Sequence, residues 1–437
     1  TTKRKGICSS VPKPSTMAGR LLALACASLT SRAAALLARG WGCPPVADVV
    51  ATMTKHPGDA LVQRTSCSTL GACVPTNDKQ QQDAAAAAGV IEASVAAMER
   101  FPDDEEVQLS CIGATVRPIL FNRENGLRAG RLGGLNLTLK AYKRWMSDPR
   151  MTSHGGDIGC YLDYCDENRD ILRELGGVHL LIQNVKNNFH GKYSNWGYEP
   201  VKNSLFGLSS GCWKNADLCH QDGFVQLSVQ LMNEHTSADK IAEESLQAVK
   251  AMAFASAEYS REFSEAGIAS VIAKVLKENP NDRGAISVAC EAVFHLVGPA
   301  SLGAFGKRVN KAFSADIQAR ATRDGLLQQL LATAMSGSTL RHKEHSGFNF
   351  DIDASYNADA LCLQALGSMG YQNGENTRVM LQAGLTDYLV QKLDTGAVNS
   401  HTRAVACAIL SAVNQEQQNT TSLALAKGHL SACSRPP

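Results

Sequence analysis

The 437-residue chain carries 43 Lys and Arg against 41 Asp and Glu, a formal net charge of +2, and so presents no general field for nucleic acid or anionic lipid. Hydrophobic residues are 44% and charged residues 19%, enough apolar material for a large core and too little charge for a disordered chain. No uncharged apolar run reaches the roughly 18 residues that a membrane-spanning helix needs, so no transmembrane segment is expected.

Residues 1–43 form a basic extension. They lack Asp and Glu but contain Lys3, Arg4, Lys5, Lys13, Arg20, Arg32 and Arg39. Two readings stand for this stretch. Residues 17–40, rich in Arg, Ala and Ser, have the composition of an organelle transit segment. Alternatively they form a helical cap, with Leu21, Leu22, Leu24, Leu36 and Leu37 packed on the first of the repeats that follow. The cap is the favoured reading, because stacked repeats need covered end faces.

From residue 44 to 430 the chain repeats. A glycine followed by an apolar stretch recurs at Gly89, Gly134, Gly177, Gly223, Gly267, Gly325, Gly384 and Gly428, with gaps of 45, 43, 46, 44, 58, 59 and 44 residues. The two long gaps are the same unit carrying insertions. Within a unit the apolar spacing is helical: Val90, Val95 and Met98, a break at Phe101-Pro102-Asp103-Asp104, then Val107, Cys111 and Ala114. The first unit reads alike, with a break at His56-Pro57-Gly58-Asp59. Proline ends one helix and Asp caps the next. A shorter helix, such as the one opening at Asn122, Asn168 or Asn376, leads into each glycine. Three helices in about 44 residues make a stackable unit.

The stretch Met53-Thr-Lys-His56-Pro57-Gly-Asp-Ala-Leu-Val62-Gln63-Arg-Thr-Ser-Cys67-Ser-Thr-Leu70, repeated from Met98 to Cys111, resembles armadillo repeats of the kind common in protist and algal proteins. The resemblance implies an all-α, right-handed solenoid of about eight three-helix repeats, with residues 431–437 as a tail. It is specific for architecture and unspecific for function; the function expected is a non-enzymatic protein-interaction scaffold or adaptor that takes a peptide or protein partner in its concave groove.

Of the fourteen cysteines, Cys67, Cys111, Cys362 and Cys407 stand 22, 23, 22 and 21 residues before the next anchor glycine, and Cys290 joins them once its unit's insertion is discounted. An even count also suits a large secreted disulfide protein, with Asn136 and Asn419 as glycosylation acceptors, but one equivalent place on the third helix argues instead for small, buried, reduced core residues and a reducing compartment. The expected location is cytoplasmic, or mitochondrial or plastid if residues 17–40 are a transit segment.

No phosphate-binding loop, dinucleotide fingerprint, nucleophile elbow or His-Glu-x-x-His motif occurs. The chain is therefore read as non-enzymatic, with no cofactor, metal or small-molecule substrate expected. Nucleic acid is an unlikely partner, since regular basic or stacking positions are missing. The runner-up function is an organelle-targeted RNA-binding or complex-assembly factor.

Aligning the third helices gives the expected groove positions. The end units offer Ser68, Ala72, Ile112, Val116, Ala408 and Ala412, with little directional bonding. The middle units offer Phe206 as an aromatic anchor, then Gln247, Glu291, His295, Gln364 and Ser368 as polar groups for a peptide backbone. Glu291 and His295, four helical positions apart, predict pH-sensitive binding near 6.5. Insertions are placed near residues 186–200, 300–313 and 337–355; the first carries Tyr193, Trp196 and Tyr198, aromatic rings beside cations of the type that anchor interfaces.

Overall fold

The computed structural model describes residues 43–76, 78–162, 165–189, 198–236, 240–297, 315–336, 358–394, 400–418 and 433. Every regular element among them is helical. The chain divides into two compact units, one ending at Asp222 and the other beginning at Gly223.

The first unit contains α1 (Val46–Lys55) and α2 (Ala60–Cys73); α3 (Lys79–Ala87), α4 (Val90–Arg100) and α5 (Glu105–Val116); α6 (Arg123–Arg131), α7 (Gly134–Arg144), α8 (Pro149–Thr152) and α9 (Gly155–Leu162); and α10 (Asp166–Glu174), α11 (Gly177–Asn188) and α12 (Glu199–Gln221). The second contains α13 (Phe224–Glu234) and α14 (Ile241–Ala255); α15 (Ala257–Glu265), α16 (Ile268–Glu278) and α17 (Arg283–Val297); α18 (Ala315–Arg323), α19 (Leu326–Met335) and α20 (Ala358–Gly370); and α21 (Gly374–Gln382), α22 (Leu385–Asp394) and α23 (Ser400–Gln418). Helix α12 fuses a long third helix to the short helix of the next repeat, with a kink at Asn215 (φ −117°, ψ 32°).

The glycine rhythm has a backbone cause. Gly89, Gly133, Gly176, Gly223, Gly267, Gly325 and Gly384 all have φ between 67° and 89°, a conformation that side chains with a Cβ rarely adopt. In the Gly133-Gly134 and Gly176-Gly177 pairs it is the first glycine that turns, one residue earlier than the sequence placed it. The second is needed for space: a Cβ on Gly177 would lie 2.4 Å from Leu172 Cδ1. Gly428 lies outside the described residues.

The expected caps form. The Asp59 carboxylate accepts hydrogen bonds from the Leu61 and Val62 amides, and Asp104 accepts from Val107. Each such cap contributes about 1 kcal/mol. The repeated Val-Gln pair has a structural role as well. Gln63 Nε2 donates to the Met53 and His56 carbonyls, and Gln108 Nε2 donates to those of Met98 and Phe101. Each glutamine thus satisfies two carbonyls at the end of the preceding helix. Asn125, Asn168 and Asn376 do the same for the other turn, donating to the carbonyls of Pro118, Tyr161 and Met369, seven residues upstream in every case.

At the start of the solenoid Met53, Cys67, Leu70, Val107, Cys111 and Ile112 pack in one buried cluster, each large apolar side chain contributing roughly 1.5–3 kcal/mol. Between α9 and α12 the contact is through backbone instead. Added Cβ atoms would lie 2.9 Å from Ser204 Cα at Gly155, 2.6 Å from the Phe206 ring at Gly159 and 2.6 Å from the Gly155 carbonyl at Gly207. Glycines four residues apart on α9 let α12 approach closely.

The cysteine register is confirmed, but the reduced state is not. Cys67 is bonded to Cys111 and Cys290 to Cys362, with Cα separations of 4.9 and 4.8 Å, and further disulfides join Cys43–Cys73, Cys212–Cys219 and Cys407–Cys433. Equivalent positions on stacked helices are the positions that face each other, so small residues repeating in register become bonding partners. The insertions near 300–313 and 337–355, and residues 1–42, lie outside the described residues.

Candidate functional site on the long helices

The long third helices stack on their neighbours: α2 on α5 and α9 on α12 in the first unit, and α14, α17, α20 and α23 in succession in the second. A side chain on this row is available to a partner only if its neighbours leave it open. Four of the expected middle-unit groove residues and two of the end-unit ones fail that requirement. Phe206 is 1% exposed and packs its ring over Gly159, so the aromatic anchor is a core residue. Gln247, Gln364 and Ser368 are 8%, 7% and 1% exposed, and the Ser368 hydroxyl donates to the Gln364 carbonyl. Ile112 and Val116 are buried too. With Cys290 bonded to Cys362, Leu363 rather than Gln364 corresponds to Glu291, so the aligned positions are one residue out of register there, and an alignment carries no information on how far each helix is rotated about its axis.

Glu291 and His295 remain, both half-buried on α17, and the structure adds three residues to them. Lys250 on α14, only 3% exposed, donates to Glu291 Oε2 at 3.0 Å. Phe254, four positions after Lys250 and 36% exposed, meets the His295 ring edge-on at a centroid distance of 5.6 Å; Phe294 does so at 5.2 Å. The patch is thus a cross-repeat ion pair bordered by three rings. Aromatic edge contacts of this kind contribute about 0.5–1.5 kcal/mol beyond area burial.

Charge in the patch is set by burial and by the pair. Burial on its own would raise the Glu291 carboxyl, but the Lys250 ammonium, the His295 ring and the Lys250 hydrogen bond outweigh it and leave the pKa below its usual value. For His295 burial dominates and Lys250 adds to it, so that despite the attraction of Glu291 its pKa falls to about 4. The imidazole is neutral at physiological pH, and the expected switch near 6.5 is displaced to more acid conditions. Missing from the sequence reading were Lys250, Phe254 and Phe294. The one legible signal was the opposite charge of Lys250 and Glu291 at 41 residues, close to one repeat.

Of the aromatic insertion, Tyr193 and Trp196 lie outside the described residues. Tyr198 is half-buried and occupies the N-cap position of α12, where its carbonyl accepts from the Lys202 amide. An open crevice of about 490 Å³ lies between α1 and α4, lined by residues including Met53, Pro57, Gln63, Glu99 and Arg100. These hold no paired nucleophile and base. Among the described residues no group of three or more His, Cys, Asp or Glu is placed to hold a metal ion, and no helix is long and apolar enough to cross a membrane.

No protein-family profile and no curated protein matches the chain. Solved structures do. An engineered protein aligns over 96% of this chain and 100% of its own at 16% identity, with a TM-score of 0.65. A chain from the structure describing the phosphorylation switch in the interaction between cadherin and β-catenin aligns over 92% of this chain and 70% of its own at 12% identity, with a TM-score of 0.62. A designed armadillo repeat protein in complex with a (KR)4 peptide aligns over 64% of this chain and 100% of its own, at 14% identity and a TM-score of 0.47.

The fold is an armadillo-like α-solenoid. At these identities the likeness concerns backbone architecture, and what an armadillo-like solenoid binds is decided by its own side chains. On the described third helices Phe254, Glu291 and His295 stay accessible, as do Ser68, Ala72 and Ala408, and of these the first three bring an aromatic ring, a carboxylate and an imidazole together.

Proposed function

We propose that the chain is a non-enzymatic protein-interaction scaffold, and that a peptide or protein segment docks on the row of third helices at the α14–α17 patch. The observation that carries this reading is an exposed phenylalanine, Phe254, set against the rings of Phe294 and His295 and the Lys250–Glu291 pair. An apolar surface with fixed polar groups at its border is what a side-chain anchor of a partner needs. The charge of Lys250 is neutralised by Glu291, so an anionic ligand such as RNA gains little there, and a protein partner is favoured over the nucleic-acid reading.

The test is selection of a displayed random-peptide library on the full chain, with Phe254→Ala and His295→Ala variants as counter-selection. Enriched peptides should lose at least about tenfold in affinity on the variants, the loss expected from truncating one anchor of more than 1 kcal/mol. Peptides that bind the variants as tightly as the parent chain would place the docking surface elsewhere. A gel-shift titration with total RNA at two salt concentrations should show no salt-sensitive complex.

A further inference from the structure

We propose that the disulfides between equivalent third-helix positions are redox-operated staples, and that the Cys290–Cys362 staple controls the order of the α17 segment carrying Glu291 and His295. Three observations converge on this. First, both staples join neighbouring long helices at the same register: Cys67 on α2 to Cys111 on α5, and Cys290 on α17 to Cys362 on α20. Each spans the contact through which one repeat holds the next, the contact on which a solenoid's cohesion depends. Second, all four sulfurs belong to residues no more than 1% exposed. Third, Cys290 immediately precedes Glu291, and His295 follows within the same helix. A bond fixing Cys290 therefore fixes the helix turn that presents the patch.

The chemistry is thiol–disulfide exchange with a small thiol such as glutathione. A glutathione thiolate attacks one sulfur of the pair, giving a mixed disulfide and releasing the other cysteine as thiolate. A second glutathione thiolate attacks the glutathione sulfur of that mixed disulfide. The products are two cysteine thiols and one oxidised glutathione, and the reverse sequence closes the staple with oxidised glutathione as the oxidant. Because the sulfurs are buried, attack requires α17 and α20 to part locally, so opening is slow in the folded chain and faster when the repeats loosen. Freed of the staple, α17 remains helical but loses its covalent tie to α20. Any effect on partner affinity rests on the docking surface proposed above; the effect on the helix does not.

The experiment uses the full chain, purified without reductant, treated with iodoacetamide in denaturant and analysed by mass spectrometry, followed by hydrogen exchange with and without reduced glutathione. Cys67–Cys111 and Cys290–Cys362 should be recovered as linked peptides. Reduction should speed amide exchange in residues 288–296 by at least about tenfold and lower the melting temperature by roughly 5–15 °C. A Cys290→Ser, Cys362→Ser double variant should show the faster exchange already and gain nothing at 288–296 from glutathione. A Cys67→Ser, Cys111→Ser variant should leave 288–296 as in the parent. Alkylated Cys290 and Cys362 in the unreduced chain, or identical exchange at 288–296 in linked and reduced protein, would overturn the proposal. Faster exchange together with unchanged peptide affinity would leave the staple in place and remove its link to the docking surface.

Discussion

The α9–α12 contact in the first unit and the α14–α17 contact in the second solve the same problem in opposite ways. In the first, glycines remove side chains and the backbones meet; Ser204 and Phe206 fill what space remains. In the second, long side chains bridge the two helices, with Lys250 reaching Glu291 and Phe254 reaching His295. Close approach leaves nothing for a partner to touch. At the second contact Phe254 is 36% exposed and Glu291 and His295 are half-buried, so side chains stay accessible at its border.

The comparison breaks most sharply at Gly207. Its added Cβ would stand 2.6 Å from a backbone oxygen that cannot rotate away, so Gly207→Leu should destabilise the first unit by about 3 kcal/mol or more. A urea titration followed by circular dichroism measures this. An unchanged midpoint would mean that α9 and α12 are not in backbone contact.

A pH effect of similar size is expected in the second unit. The folded pKa of His295 is lowered to about 4, against about 6.5 in an unfolded chain. Above pH 6.5 the ring is neutral in both states and its contribution is complete. As pH falls from 6.5 toward 4 the unfolded chain takes up the proton and the folded chain does not, so stability declines by about 3 kcal/mol across that window. Glu291, whose folded pKa is also lowered, acts with the same sign at the acid end. Melting temperature measured from pH 7 to 4 should therefore drop more steeply for the parent chain than for His295→Gln. Parallel curves would show that the ring is not shielded by Phe254 and Phe294.

Smaller again is the expected difference between cross-repeat ion pairs. Lys250→Ala leaves a partly buried carboxylate without its partner and should cost about 2 kcal/mol, below the range for a fully buried pair because the Glu291 side chain is 22% exposed. Arg173 pairs with Asp217 across a similar stretch of chain, but both side chains are more than 40% exposed, and Arg173→Ala should cost less than about 0.5 kcal/mol. Denaturation midpoints of the two variants, compared at low and high salt, separate the cases. Equal losses would remove the distinction between buried and exposed pairs.

Local rules were readable in the sequence because they involve neighbours along the chain. The glycine rhythm reports a left-handed turn that few other residues can make; Asp59 and Asp104 cap helices within three residues of themselves; and Gln63 and Gln108 sit seven and ten residues from the carbonyls they satisfy. Even the cysteine column was legible as register. What the sequence could not decide is rotation and distance between helices one repeat apart. Phe206 looked like an anchor at a groove position, yet Gly159 on the neighbouring helix gives its ring a buried place. Equivalent cysteines looked like separate core residues until stacking brought Cys67 to Cys111 and Cys290 to Cys362. Nothing local in the sequence marks Lys250, because its meaning lies in Glu291, 41 residues away. A repeat pattern fixes which positions correspond; only the packed helices fix which of those positions face each other, which face water, and which are closed between backbones.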